Sequence, residues 1–182
     1  MRLEGAGAAL TVSAGEAEEF LRFARPALSG AYRLAGYLLR DATEAEDAVQ
    51  DSLERAWQAW PRLRQTDRFD PWFDRIVVNV CRDRMRRSRG VRMLELDDEL
   101  AGATFGRDPF RDALARDEVG RLVRSLPADQ QIVVALRFWR DLSLEDIAER
   151  LNVPLGTVKS RLHYAMRSLR TELDRHVREG SR

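Results

Sequence analysis

The chain has 182 residues, 44% hydrophobic and 34% charged, with a formal net charge of +1. That composition excludes a wholly disordered chain, and the length suits one domain or two small ones joined by a linker. No window approaches the roughly 18 consecutive apolar residues of a membrane span, so no membrane insertion is expected, and residues 1–11 lack the apolar core of a secretory leader.

Residues 1–15 match no identifiable motif and read as a disordered N-terminus. Phe20, Ala24, Leu28, Ala31, Ala35 and Leu38 then recur at helical spacing, and Pro26 is expected to bend or restart that helix. Thr43 followed by Glu46 reads as a capping box for a second helix, whose stripe runs through Ala48, Val49, Ala56, Trp57 and Trp60. A third stripe, Trp72, Phe73, Ile76, Val77 and Val80, runs into Arg82, Arg84, Arg86, Arg87 and Arg89. The spacing of the tryptophans favours core packing over base stacking. Residues 91–115 set three arginines against six carboxylates. With Gly102, Gly106 and Pro109 and no sustained helical period, residues 90–113 read as a linker. Ser125-Leu126-Pro127 predicts a cap with proline in the first turn of a helix carrying Ile132, Val133, Leu136, Phe138 and Trp139. Runs of β-branched alternation are absent. The fold class is all-α: two small helical domains, 16–89 and 114–175, joined by an acidic flexible linker, with a tail at 176–182.

The C-terminal body carries a helix-turn-helix pattern. Ser143-Leu144-Glu145-Asp146 is a capping signal, and Ile147, Ala148 and Leu151 form the inner face of a short helix, with the small Ala148 allowing a close crossing. Asn152 stands where the turn needs a left-handed residue. Pro154-Leu155-Gly156-Thr157 restarts the chain into a long helix whose buried stripe is Val158, Leu162, Ala165, Met166 and Leu169. Its other faces show Lys159, Ser160, Arg161, His163, Tyr164, Arg167 and Arg170. Such a helix in the major groove can donate to guanine edges and phosphates. The combination favours DNA binding over an ordinary helical hairpin with solvated arginines.

An enzyme would need clustered nucleophiles, bases or metal ligands. Cys81 is the only cysteine, His163 and His176 are the only histidines, and Lys159 is the only lysine. No catalytic residue, metal site or cofactor is expected, and Cys81 reads as a half-buried filler in a reduced, cytoplasmic protein.

The run from Glu44 through Asp47, Gln50, Asp51 and Glu54 to Trp57 resembles the core-polymerase-binding segment, region 2.2, of bacterial sigma factors. Phe69-Asp70-Pro71-Trp72-Phe73 through Asn79-Val80, with the arginine-rich tail, resembles regions 2.3 and 2.4. Leu126-Pro127-Ala128-Asp129-Gln130-Gln131 and Gly156-Thr157-Val158-Lys159-Ser160-Arg161-Leu162 resemble region 4. In order, spacing and length, residues 16–175 are similar to the extracytoplasmic function (ECF) sigma factors, the smallest sigma-70-type architecture.

The resemblance implies that Asp47, Gln50, Asp51 and Glu54 dock on core RNA polymerase, through the clamp helices of its β′ subunit, with further contact to β. It implies that the connection from Pro61 to Phe69, with Asn79 beneath it, captures an unpaired minus-10 base. Arg62, Arg64 and Arg68 supply charge there, and Arg82, Arg86 and Arg87 hold the adjacent strand. Thr157, Lys159, Ser160, Arg161, His163, Tyr164 and Arg167 face the minus-35 element, with Arg161 serving phosphate or the fold. The family usually has arginine where Tyr164 stands, which leaves the minus-35 sequence open. The linker threads toward the RNA exit path or is a simple tether. Promoter DNA and an anti-sigma factor are the other implied partners. The alternative is a stand-alone helix-turn-helix regulator that works without core polymerase.

Overall fold

The computed structural model describes residues 14–94 and 118–180; the earlier N-terminal residues and most of the expected linker lie outside the described residues. Helices α1 (Ala14–Leu39), α2 (Ala42–Ala59) and α3 (Phe69–Leu94) form an N-terminal unit, with 3-10 turns at Trp60–Arg62 and Thr66–Arg68 between α2 and α3. Helices α4 (Glu118–Ser125), α5 (Ala128–Val134), α6 (Leu144–Leu151) and α7 (Leu155–Gly180) form the C-terminal unit, and α5 runs on into a π turn at Ala135–Trp139. No strand occurs among the described residues.

α1 buries Phe20, Ala24, Ala31, Leu34, Ala35 and Leu38 and continues through Pro26, so of the two outcomes expected there the restart does not occur. Proline removes the amide that would bond the Arg22 carbonyl, but both residues are exposed, so water can serve that carbonyl. α2 is capped two residues earlier than the Thr43–Glu46 pattern suggested. Asp41, in extended conformation, accepts from the Glu44 amide at 2.8 Å, and the helix starts at Ala42.

Trp57, Trp60 and Trp72 all pack inward. Phe20 meets Trp57 and Trp60 edge-on at 5.2 and 5.6 Å, and Phe69 lies 5.6 Å from Trp72 and from Phe73. Such pairs add about 0.5–1.5 kcal/mol each beyond the area they bury. Cys81 is fully buried, more so than the half-buried filler expected, and burial pushes its thiol up to about 12.

The α4–α5 junction also differs from the reading of its sequence. Ser125 ends α4, where its hydroxyl donates to the Leu122 carbonyl at 2.8 Å, and Pro127 itself is the N-cap of α5. The buried Gln131 amide joins the two helices by donating to the Arg124 and Leu126 carbonyls at 2.9 and 2.8 Å. It thereby satisfies carbonyls that the end of α4 leaves open.

The two units pack on each other. Val77, Val78 and Cys81 of α3 belong to the same continuous buried cluster as Ile132, Leu136, Ile147 and Val158 of the C-terminal unit. The π turn leaves Phe138 62% exposed. It also sets Trp139 edge-on against Tyr37 of α1, with ring centroids 4.2 Å apart.

Candidate nucleic-acid interface

The turn between α6 and α7 has the local chemistry its sequence requires. Ser143 Oγ accepts from the Asp146 amide at 3.0 Å, while Asp146 accepts from the Ser143 amide at 3.3 Å and hydroxyl at 2.7 Å, a reciprocal capping box. These bonds hold the Asp146 carboxyl below its ordinary value. Asn152 adopts φ 52° and ψ 50°, and its amide and that of Val153 return to carbonyls of α6. The Pro154 carbonyl then accepts from the Thr157 and Val158 amides at 2.9 and 3.3 Å, which opens α7.

Val158 and Ala165 are buried and Leu162 and Leu169 half-buried against the core. Met166, expected on that stripe, is 45% exposed. Its position is about 80° round the helix from Val158, at the edge of the buried face. Lys159, Ser160, His163, Tyr164 and Arg167 are all exposed. At about 100° per residue they share one arc of about 140°, opposite the core. Thr157 and Arg161 are half-buried just beyond the Tyr164 edge of that arc.

The arginines of the N-terminal unit divide into separate patches. Arg62 and Arg64 are exposed in the connection before α3, and Arg68 reaches Glu149 of α6 at 2.6 Å. Asn79 is exposed on α3, ten residues and about 15 Å of helix rise beyond Phe69. Its Oδ1 accepts from Arg82 Nη1 at 2.8 Å, and Arg86 and Arg87 are exposed. Asn79, Arg82, Arg86 and Arg161 line one cavity of about 420 Å³ together with Asp83, Asp129, Leu151 and Val153. Asp129 joins the two units there, Oδ1 taking Arg82 Nε at 2.8 Å and Oδ2 taking Arg161 Nη2 at 2.9 Å.

On α2, Asp47, Gln50 and Glu54 are exposed, and Gln50 Nε2 donates to Glu54 Oε1 at 3.4 Å. Asp51 is half-buried because Arg84 of α3 reaches it at 2.6 Å and Glu44 at 2.7 Å. Among the described residues no group of three or more His, Cys, Asp or Glu is placed to hold a metal ion, and no helix is long and apolar enough to cross a membrane.

Residues 23–91 match the family model for sigma-70 region 2 and residues 122–171 that for sigma-70 region 4. The ECF RNA polymerase sigma factor SigL of Mycobacterium tuberculosis (strain H37Rv) is 34% identical over 144 residues, 78% of this chain and 81% of that protein. The ECF RNA polymerase sigma factor SigW of Bacillus subtilis (strain 168) is 31% identical over 156 residues, 78% of this chain and 82% of that protein. The chain belongs to the ECF sigma factors. Its fold is similar to that of the sigma factor RpoE from Bartonella quintana, solved in complex with the anti-sigma factor NepR. The TM-score is 0.65 at 26% identity, over 86% of this chain and 98% of that one.

The ECF sigma factor also carries a set of residues that sequence reading did not single out. Asp74 of α3 is 4% exposed and accepts from Arg140 Nη2 at 3.1 Å and Arg150 Nε at 2.9 Å, both from the C-terminal unit. Arg75 donates to the Glu149 and Arg150 carbonyls at 2.8 and 3.3 Å, which serves the C-terminal end of α6. Arg40 Nη2 donates to the Gly120 carbonyl at 3.4 Å, and burial followed by the nearby Arg124 charge lowers Arg40 to about 10. The one available signal was Asp74 itself, a carboxylate set among Phe73, Ile76 and Val77 with no basic partner at helical spacing on the buried side.

Proposed function

We propose that this ECF sigma factor binds core RNA polymerase in the cytoplasm, brings it to promoters with a two-part upstream element, and assists minus-10 opening while catalysing no reaction itself. Asp47, Gln50, Asp51 and Glu54 form the docking face for the β′ clamp helices. Arg62, Arg64 and Arg68 draw in the minus-10 strand, Asn79 contacts a flipped base, and Arg82, Arg86 and Arg87 hold phosphates. Lys159, Ser160, His163 and Tyr164 read the minus-35 duplex, flanked by Thr157, Arg161 and Arg167.

One observation carries the reading. A capped helix and an Asn152 turn present a contiguous exposed arc of α7, basic at Lys159 and Arg167, whose opposite side is core. A major groove about 12 Å wide admits a helix displayed in that way, and its base edges accept from lysine and arginine. An anti-sigma factor is the expected controlling partner, as NepR is for the related RpoE.

Core dependence tests the proposal. The chain should co-elute with sigma-free bacterial core polymerase and protect upstream duplex DNA from nuclease only in that complex. A chain that ignores core and protects specific duplex sites alone is instead a stand-alone regulator.

A further inference from the structure

We propose that Arg84 of α3 is a positioning residue for polymerase docking: it holds Glu44 and Asp51 of α2 in place, and Glu44 thereby joins the surface that core polymerase grips. This rests on the docking assignment proposed above. The Arg84 guanidinium forks between the two carboxylates, Nη1 on Glu44 Oε2 at 2.7 Å and Nη2 on Asp51 Oδ2 at 2.6 Å. Its side chain is 18% exposed, against 54% for Glu44 and 45% for Asp51, so a partner arriving on α2 meets the carboxylates before the cation. Each acid is held through one oxygen, which leaves the other for a donor on the partner. In the arginine run of α3, Arg84 stands two residues from Arg82 and from Arg86, about 160° round the helix from each. It turns toward α2, away from the side assigned to the minus-10 strand.

The sequence of α2 needs such a cation. At about 100° per residue, Gln50, Glu54, Asp47, Asp51 and Glu44 follow one another within about 120° of the helix, with Asp51 and Glu44 at the border next to α3. Glu44, Asp47, Asp51 and Glu54 stand three or four residues apart in turn, the spacing at which like charges on a helix repel. Arg84 sets one positive charge against two of these four. The fork also fixes two flexible side chains before the partner arrives, so binding has less ordering left to impose. The surface that fits this stripe is a basic one, whose arginines or lysines reach the outer oxygens of Glu44 and Asp51.

The test titrates sigma-free bacterial core polymerase into the fluorescently labelled full chain, with a thermal scan of every variant. Arg84→Met removes the fork, Arg84→Lys keeps the charge as a single point, and Glu44→Gln with Asp51→Asn removes both acceptors. Arg84→Met should weaken association about tenfold, the cost of ordering two side chains, and Arg84→Lys should recover part of that loss. In the Glu44→Gln, Asp51→Asn background, Arg84→Met should change association less than about twofold, because the groups it acts through are gone. A merely structural Arg84 would cost the same in both backgrounds and track the melting temperature. Arg84→Lys carries the same comparison should Arg84→Met unfold. Nitrogen NMR of the free chain should show restricted rotation of the Arg84 guanidinium, lost in the Glu44→Gln, Asp51→Asn chain. Association of Arg84→Met equal to or tighter than wild type, equal losses in both backgrounds, or a freely rotating guanidinium overturns the proposal. A wild-type chain that does not associate with core shows instead that the sigma reading is wrong, and the docking role of Arg84 falls with it.

Discussion

Arg150 of α6 donates Nε to the Asp74 carboxylate of α3 at 2.9 Å, across 76 residues of chain. Asp74 is 4% exposed, whereas Arg140 and Arg150 retain some solvent contact. Removing the carboxylate would leave two partly buried cations facing each other. Asp74→Ala should therefore destabilise the packing of the two units by about 1–3 kcal/mol, below the full cost of breaking a buried pair because water reaches the arginines. Urea unfolding should change from one transition to two, with the α4–α7 unit melting first. A single unshifted transition would show that this pair does not couple the units.

Two carboxylates proposed for polymerase docking should behave differently. Asp47 is exposed, so Asp47→Arg should abolish association with core while stability stays within about 0.5 kcal/mol of wild type. Asp51 is paired with Arg84 at 2.6 Å, so Asp51→Arg sets like charges in contact. It should lower both association and melting temperature. Co-elution with core and thermal scans read the two effects separately.

Lys159 stands exposed on the outer arc of α7. Lys159→Ala should weaken minus-35 binding by about 1–3 kcal/mol if it reads a base edge, with no loss of core association. A uniform loss across all duplex sequences, with a shallower salt slope, would assign Lys159 to phosphate instead.

Ser143→Ala should cost about 1 kcal/mol of stability in the helix-turn-helix, the typical worth of an N-cap. The Asp146 half of the capping box adds a pH dependence. Its carboxyl is held below the ordinary 3.8, chiefly by the Ser143 hydroxyl, so its stabilising contribution is full above that value and fades as pH falls through the lower folded value. The gap in melting temperature between wild type and Ser143→Ala should hold from neutral pH to about pH 5 and narrow in stronger acid.

Cys81 should be inert while the protein is folded. With the thiol pushed up to about 12 by burial, the thiolate fraction at pH 8 is about one part in ten thousand. A colour-forming disulfide reagent should detect no fast thiol in native protein and one per chain in denaturant. Rapid native reaction would place Cys81 near solvent.

Much of this was legible in the sequence because it is local. The helical stripes around Phe20, Val49 and Phe73, the Ser143 box and the left-handed Asn152 each follow from neighbours within a few residues. The misreadings were local competitions. Asp41 and Thr43 are both capping residues two apart, and only the start of the helix decides between them. Ser125 could have capped α5 but bonded back into α4. The contacts of Asp74, Asp129, Arg75 and Tyr37 with the other unit were not legible. They join positions far apart in the chain, where no periodicity links an acid to its base. Asn79, Arg82 and Arg161 read as independent DNA contacts, yet the fold brings them to one cavity wall.

The most direct test of the central claim is transcription itself. Purified chain is added to sigma-free bacterial core polymerase with fragmented genomic DNA from its host, and transcript 5′ ends are sequenced. The account predicts discrete start sites that share a two-part upstream motif and vanish when the chain is omitted. Starts no different from those of core alone, from a folded chain, would contradict it.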